Sequence, residues 1–291
     1  MIALSTRPLR GAAPDLAAAL APLSRHGFRD LVVGLHDIPA APAAAAALAP
    51  EWRLAGVTDF VTRRESGLSA DPAADGLASF DEGARAAAVA SVVRRAAAAR
   101  ALRAPLVVLR LGAVDVPSRE EREWKARRDP KAASEFLAEV RSRSDKALEV
   151  ACRSLHEAVR AEPEVTFAVE GPAFGFELGF PADLARLFGE VRSKNLAAWF
   201  SSGSADLAHA SGLGPDPAAY LEAAAPRLAG AFLSDSDGER EGLVPGRGRI
   251  DFRMVAYFLP RRAHRALFLA PGSPVTEWLE AAAFLKDRGI S

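Results

Sequence analysis

The chain has 291 residues, of which 49% are hydrophobic and 25% charged, and its 37 basic residues balance its 37 acidic ones. With no net charge it lacks the electrostatic pull of a nucleic-acid or anionic-lipid binder. Its single cysteine excludes both an intrachain disulfide framework and a cysteine-based zinc cluster.

Apolar runs that read as strands recur along the chain at residues 2–7 (IALSTR), 31–36 (LVVGLH), 52–57 (WRLAGV) and 105–112 (PLVVLRLG). Four more follow at 165–170 (VTFAVE), 196–201 (LAAWFS), 230–235 (GAFLSD) and 266–271 (ALFLAP). The runs are continuous rather than alternating, as expected of parallel strands buried on both faces. Helical patterns separate them, among them 81–102 and 216–228, and a last helix with Ser273 as N-cap, Pro274 at its first position and Gly289 as its stop. Cys152 shares helical spacing with Leu148, Leu155 and Val159, which marks it as core. No run approaches the ~18 apolar residues of a membrane span. Arg7, Pro8, Arg10 and Asp15 break the apolar character of the N-terminus, which makes it a poor signal peptide and a cytoplasmic location the expectation.

Eight strand–helix units predict an α/β protein, a (β/α)8 TIM barrel spanning residues 1–291 as one domain. A doubly wound open sheet is the competing architecture. It calls for a Gly-rich phosphate turn after the first strand, and TRPLRGAAPD (6–15) has none. Active sites of TIM barrels sit at the C-terminal strand ends. The candidate positions are therefore His36, Asp37, Thr58, Asp59, Arg110, Glu170, Ser201, Asp235 and Ala270.

From about Leu148 onward the chain resembles the xylose-isomerase-like TIM barrels, a superfamily of sugar isomerases and epimerases, inosose dehydratases and apurinic-endonuclease-type enzymes. The segments that carry the resemblance are FAVEGP (167–172), NLAAWFSSGSA (195–205), PRLAGAFLSDSDG (226–238) and PGRGRIDF (245–252). The resemblance implies a divalent ion, held by acidic and His ligands at the strand ends, that polarises a substrate while carboxylates move a proton. Glu170 matches the strand-five Glu, a metal ligand and proton shuttle in the family. The strand-six Asp and His fall on Ser201 and Ser204, the strand-seven His on Phe232, the following Asp-x-His on Arg240 and Gly242, and the strand-eight Glu on Ala270. Hydroxyl, phenyl and methyl groups are poor substitutes for such ligands, so no bound metal and no cofactor is expected. Asp206 and His209 restore an Asp-x-x-His only if strand six extends through SSGS, a weak strand sequence.

The leading expectation is a small-molecule site formed by His36, Arg110, Glu170, Ser201, Ser204, Asp235 and Asp237, with Glu170 as the one catalytic candidate. Its ligand would be polar, sugar-like or carboxylate. Arg110 either binds that ligand or forms an internal salt bridge to Glu170, filling the charge role of an ion. The alternatives are an active isomerase or epimerase with a relocated site at Glu170, Asp235, Asp237 and His209, divalent metal entering only there, and a scaffold or partner-binding barrel. Neither nucleic acid nor membrane is expected as a partner, while a homo-oligomer is compatible with the sequence. Phe174, Phe176 and Phe180 (in 171–181) could form an apolar lid or pack on the rim. Gly246-Arg247-Gly248-Arg249 could bind an anion or be structural. The 113–135 segment, with Trp124, Lys125, Arg127 and Arg128, could be a second lid or a dimer contact.

Overall fold

A computed structural model describes residues 2–6, 16–34, 52–58 and 76–291. Eight parallel strands close into a barrel in chain order: β1 (Ile2–Ser5), β2 (Asp30–Gly34), β3 (Arg53–Thr58), β4 (Leu106–Leu109), β5 (Thr166–Glu170), β6 (Leu196–Ser201), β7 (Leu228–Leu233) and β10 (His264–Leu267). The predicted barrel is thus present. A two-stranded hairpin, β8 (Asp235–Ser236) with β9 (Glu241–Leu243), is inserted after β7. Asp235 therefore leads the hairpin rather than ending a barrel strand. Among the described residues no helix is long and apolar enough to cross a membrane.

The helices used below are α1 (Leu16–Arg25), α2 (Glu82–Ala101), α3 (Arg119–Ala126), α4 (Pro130–Ala161), α5 (Pro181–Val191), α6 (Ser202–Ala210), α7 (Pro217–Ala224), α8 (Phe252–Phe258) and α9 (Val275–Asp287). Side-chain caps start several of them, since the first backbone N–H groups of a helix lack intrahelical partners. Asp81 caps α2 by accepting from the Ala84 amide at 2.7 Å. Asp129 and Asp216 cap α4 and α7, each followed by a proline at the first helical position. The last helix starts one residue later than its sequence suggests, with Pro274 rather than Ser273 at the cap, while Gly289 follows its end with φ +87° as anticipated.

Alternation along the strands sorts residues between two cores. One side packs Leu, Val and Phe against the helices, and Cys152 belongs there, with burial pushing its thiol up to about 12. The other side fills the barrel interior. Five alanines (Ala3, Ala55, Ala168, Ala197 and Ala266) leave the space that Trp199, Phe232 and Phe268 occupy. Trp199 meets Phe232 edge-on at 5.1 Å, and Phe232 lies 6.1 Å from Phe268. Gly230 is small for the same reason, because a Cβ there would sit 2.3 Å from the Trp199 ring. The interior is a packed floor beneath the C-terminal mouth, as small barrels require.

Candidate active site

Inward-facing positions continue upward from this floor. Val108 and Ala168 line the interior, so Arg110 and Glu170, two residues on, point into the mouth. On β6 and β7, Ser201 and Ser234 likewise stand two residues beyond the interior residues Trp199 and Phe232, with Ser201 paired to Phe232 in the ladder. The β6 register Leu196–Ser201 and the start of α6 at Ser202 settle the alternative for SSGS, which begins a helix. Asp206 is consequently one turn into that helix, where it pairs with Arg249 at 3.2 Å. His209 lies on the exposed side, 3.9 Å from Asp216.

The loops after β4 and β5 are zipped together. The Val114 amide donates to Phe176 O, the Leu178 amide donates to Gly112 O, and Ala113 bridges Glu177. This seats Glu177 against Arg110. Arg110 Nη1 donates to both Glu177 oxygens at 2.8 and 2.9 Å, and its Nη2 donates to Glu170 Oε1 at 3.5 Å. Leu109 and Leu111 are buried outward, as the inward reading of Arg110 requires. Burial opposes the guanidinium charge, but Glu177, Glu170 and Glu241 outweigh it and raise its pKa. The salt-bridge option for Arg110 is realised, with Glu177 as a second partner that nothing in the sequence pattern marks.

Glu177 also accepts from the Ala173 and Phe174 amides, closing a tight turn. Phe174 and Phe176 stack on each other at 5.4 Å under the guanidinium groups of Arg127 and Arg119. Both rings therefore pack against the 113–135 segment. The 113–135 segment supplies the clamp. Glu123 on α3 accepts from Arg127 and from the Gly175 amide. Desolvation pushes its carboxyl up to about 7, against the pull of Arg127.

The opposite wall belongs to α6 and the β8–β9 hairpin. Ser202 Oγ donates to Ser234 O at 2.6 Å and accepts the Ser234 amide at 3.0 Å, pinning the start of α6 to the end of β7. Ser201 Oγ bonds Ser204 Oγ at 3.1 Å, and Ser204 Oγ donates to Glu241 Oε2 at 2.9 Å. Glu241 is a mouth residue absent from the sequence-based set, which fell on its neighbours Arg240 and Gly242. Behind Glu170, the Tyr220 ring is buried, its hydroxyl has no hydrogen-bond partner, and burial with the nearby Glu170 charge raises its pKa.

Other candidates are engaged elsewhere. Asp235 is buried and accepts from the amides of Ser236, Gly246 and Ile250, so it organises the 244–250 loop. Asp237 is bound by Arg240, whose hydrogen bonds, with two backbone amides, hold its carboxyl at about 2. Arg247 pairs with Glu277 and Glu280, and a Cβ on Gly248 would meet the Asp235 carboxylate at 2.4 Å. The 246–249 stretch is thus structural, which removes the anion-site option. Glu170, Asp235, Asp237 and His209 are not gathered into one group, and no three metal-binding side chains cluster among the described residues. Thr58 is buried at the end of β3. His36, Asp37 and Asp59 lie outside the described residues.

A closed eight-stranded parallel barrel with polar residues at its C-terminal mouth defines the TIM-barrel class. The chain belongs to the xylose isomerase-like TIM barrel family, whose profile matches residues 41–288. Among solved structures it is similar to a D-tagatose 3-epimerase-like protein, at 17% identity and TM-score 0.72, covering 99% of this chain and 96% of that one. It is also similar to a putative xylose isomerase from Rhodospirillum rubrum (14%, TM-score 0.69) and to 3-keto-D-glucoside 4-epimerase from E. coli (13%, TM-score 0.67). Each of these two alignments covers 98% of both chains. No curated protein sequence matches the chain.

Proposed function

We propose that the chain binds a small hydroxylated, sugar-like molecule at the barrel mouth, without the metal-dependent chemistry that the family resemblance implies. The observation that carries this reading is Arg110, a buried cation shared between Glu170 and Glu177. A divalent ion is held by several carboxylate or imidazole ligands. Around Glu170 the described side chains are the Arg110 guanidinium, which also faces Glu177 and Glu241, the Ser201 and Ser204 hydroxyls and the Phe232 ring, and no three metal-binding groups cluster among the described residues. Arg110 satisfies the Glu170 charge that an ion would otherwise balance, and a second cation there would be repelled. This donor set does not fit a divalent metal, and no step is assigned to one.

What remains suits binding. Glu170 and Ser201 offer acceptors to ligand hydroxyls, and the aromatic floor sets the depth of the pocket. The similar solved structures include sugar epimerases, which supports a sugar-like ligand. The relocated-isomerase reading is weaker, because Asp235, Asp237 and His209 are each committed to other partners. No cofactor is required for this function.

A thermal-shift screen of sugars, polyols and carboxylic acids, with and without excess Mn²⁺, Mg²⁺, Co²⁺ or Zn²⁺, tests the proposal. A ligand that binds only the folded state raises Tm. The expected hit is a polyhydroxyl compound whose shift is the same without metal and disappears in Glu170→Gln. Stoichiometric metal on elemental analysis, abolished by Glu170→Ala, overturns the reading.

A further inference from the structure

One hydrogen-bonded chain in the mouth has its direction fixed by chemistry. A carboxylate only accepts, so Ser204 must spend its single hydroxyl proton on Glu241 Oε2, 2.9 Å away. With that proton committed, Ser204 Oγ can meet Ser201 Oγ at 3.1 Å only as an acceptor, and Ser201 spends its own proton on Ser204. Ser201 Oγ is then left with lone pairs alone. Among the described residues nothing donates to it.

The sequence holds this arrangement in place. Ser201 ends β6 on the inward-facing side, and Ser204 stands three residues on, in the first turn of α6. Gly203 lets the hairpin close in: a Cβ there would lie 2.7 Å from Glu241 Cβ and 2.7 Å from Ser234 Oγ. Ser234 Oγ is itself buried with no hydrogen-bond partner. A buried, unsatisfied hydroxyl carries a desolvation penalty that a bound ligand removes.

We propose that Glu241, acting through Ser204, makes Ser201 an obligate hydrogen-bond acceptor and thereby selects ligands that present a hydroxyl donor at that point of the mouth. Glu241 is then a specificity-determining residue that need not touch the ligand. A ligand carrying an acceptor at that point meets oxygen lone pairs and is rejected. This inference rests on the mouth being the ligand site.

The test uses D-fructose and its deoxyfluoro analogues, titrated calorimetrically into the full chain. Fluorine is close to a hydroxyl in size but cannot donate. In the wild type, fluorination at one particular hydroxyl should weaken binding by roughly tenfold, the effect of about one hydrogen bond. In Ser204→Ala the Ser201 proton is released, and the penalty at that position should fall to less than about threefold. Glu241→Gln, whose amide can donate to Ser204 and reverse the chain, should behave alike, and it carries the test if Ser204→Ala folds poorly. Thermal melts of both variants separate this effect from general loosening.

An unchanged fluorine penalty in both variants, or no penalty at any position in the wild type, overturns the assignment to Glu241 while leaving the binding site standing. If neither D-fructose nor any polyol of the thermal-shift screen binds, the site reading falls and this inference falls with it.

Discussion

Arg110 Nη1 lies between the two carboxylate oxygens of Glu177, at 2.8 and 2.9 Å, with the two side chains only 7% and 14% exposed. Removing one partner of such a pair leaves an uncompensated buried charge, which destabilises by about 3–5 kcal/mol. Arg110→Met should therefore lower stability by that amount in urea denaturation. Arg110→Met with Glu177→Gln should recover part of the loss. Arg110→Lys should not rescue, since one ammonium cannot take the place of two guanidinium nitrogens on two carboxylates.

Glu123 gives stability a pH dependence of its own. Its folded carboxyl titrates at about 7, well above the ordinary Glu range near 4.5, because burial disfavours the charged form. Between those values the folded state holds a proton that the unfolded state has released, so the sign is negative: stability falls as pH rises through that window. Glu123→Gln keeps the shape without the titration. Wild type minus variant stability, from urea melts, should decline between pH 4.5 and 7 by an amount on the order of 3 kcal/mol. A flat difference would contradict the account.

Gly203→Ala tests the approach of the hairpin. Its new methyl group would collide with Glu241 Cβ and Ser234 Oγ. Overpacking of this kind costs about 1–3 kcal/mol. Tm should drop accordingly, and affinity for any polyol hit should fall with it, because Glu241 must retreat from Ser204.

Gly230→Ala tests the floor rather than the walls. The added Cβ would face the Trp199 ring on one side and His264 O, 2.8 Å away, on the other. Neither a packed indole nor a strand backbone yields easily, so destabilisation near the top of the overpacking range, about 3 kcal/mol, is expected in chemical denaturation.

The barrel was legible because continuous apolar runs at regular intervals have few other solutions. The strand-end rule then pointed to Arg110, Glu170 and Ser201, which the structure has at or just past the ends of β4, β5 and β6. Glu177 and Glu241 were not legible. Both reach the mouth through loop geometry, Glu177 by the zip between the 112–114 and 176–178 segments and Glu241 by a hairpin inserted after β7. No periodicity encodes either arrangement. The backbone partners of Asp235 were not legible for a related reason, since an acidic turn residue looks the same whether it faces a ligand or three backbone amides. The aromatic loop and the α3 segment were each readable as a cover, but only their contacts show that one grips the other.

Phe232 fixes what the floor of the barrel can accept. An imidazole at that position would put a polar ring between Trp199 and Phe268, on a floor sized for hydrocarbon by five alanines. A metal ligand introduced there would need that floor rebuilt and Arg110 displaced from Glu170 in the same stroke.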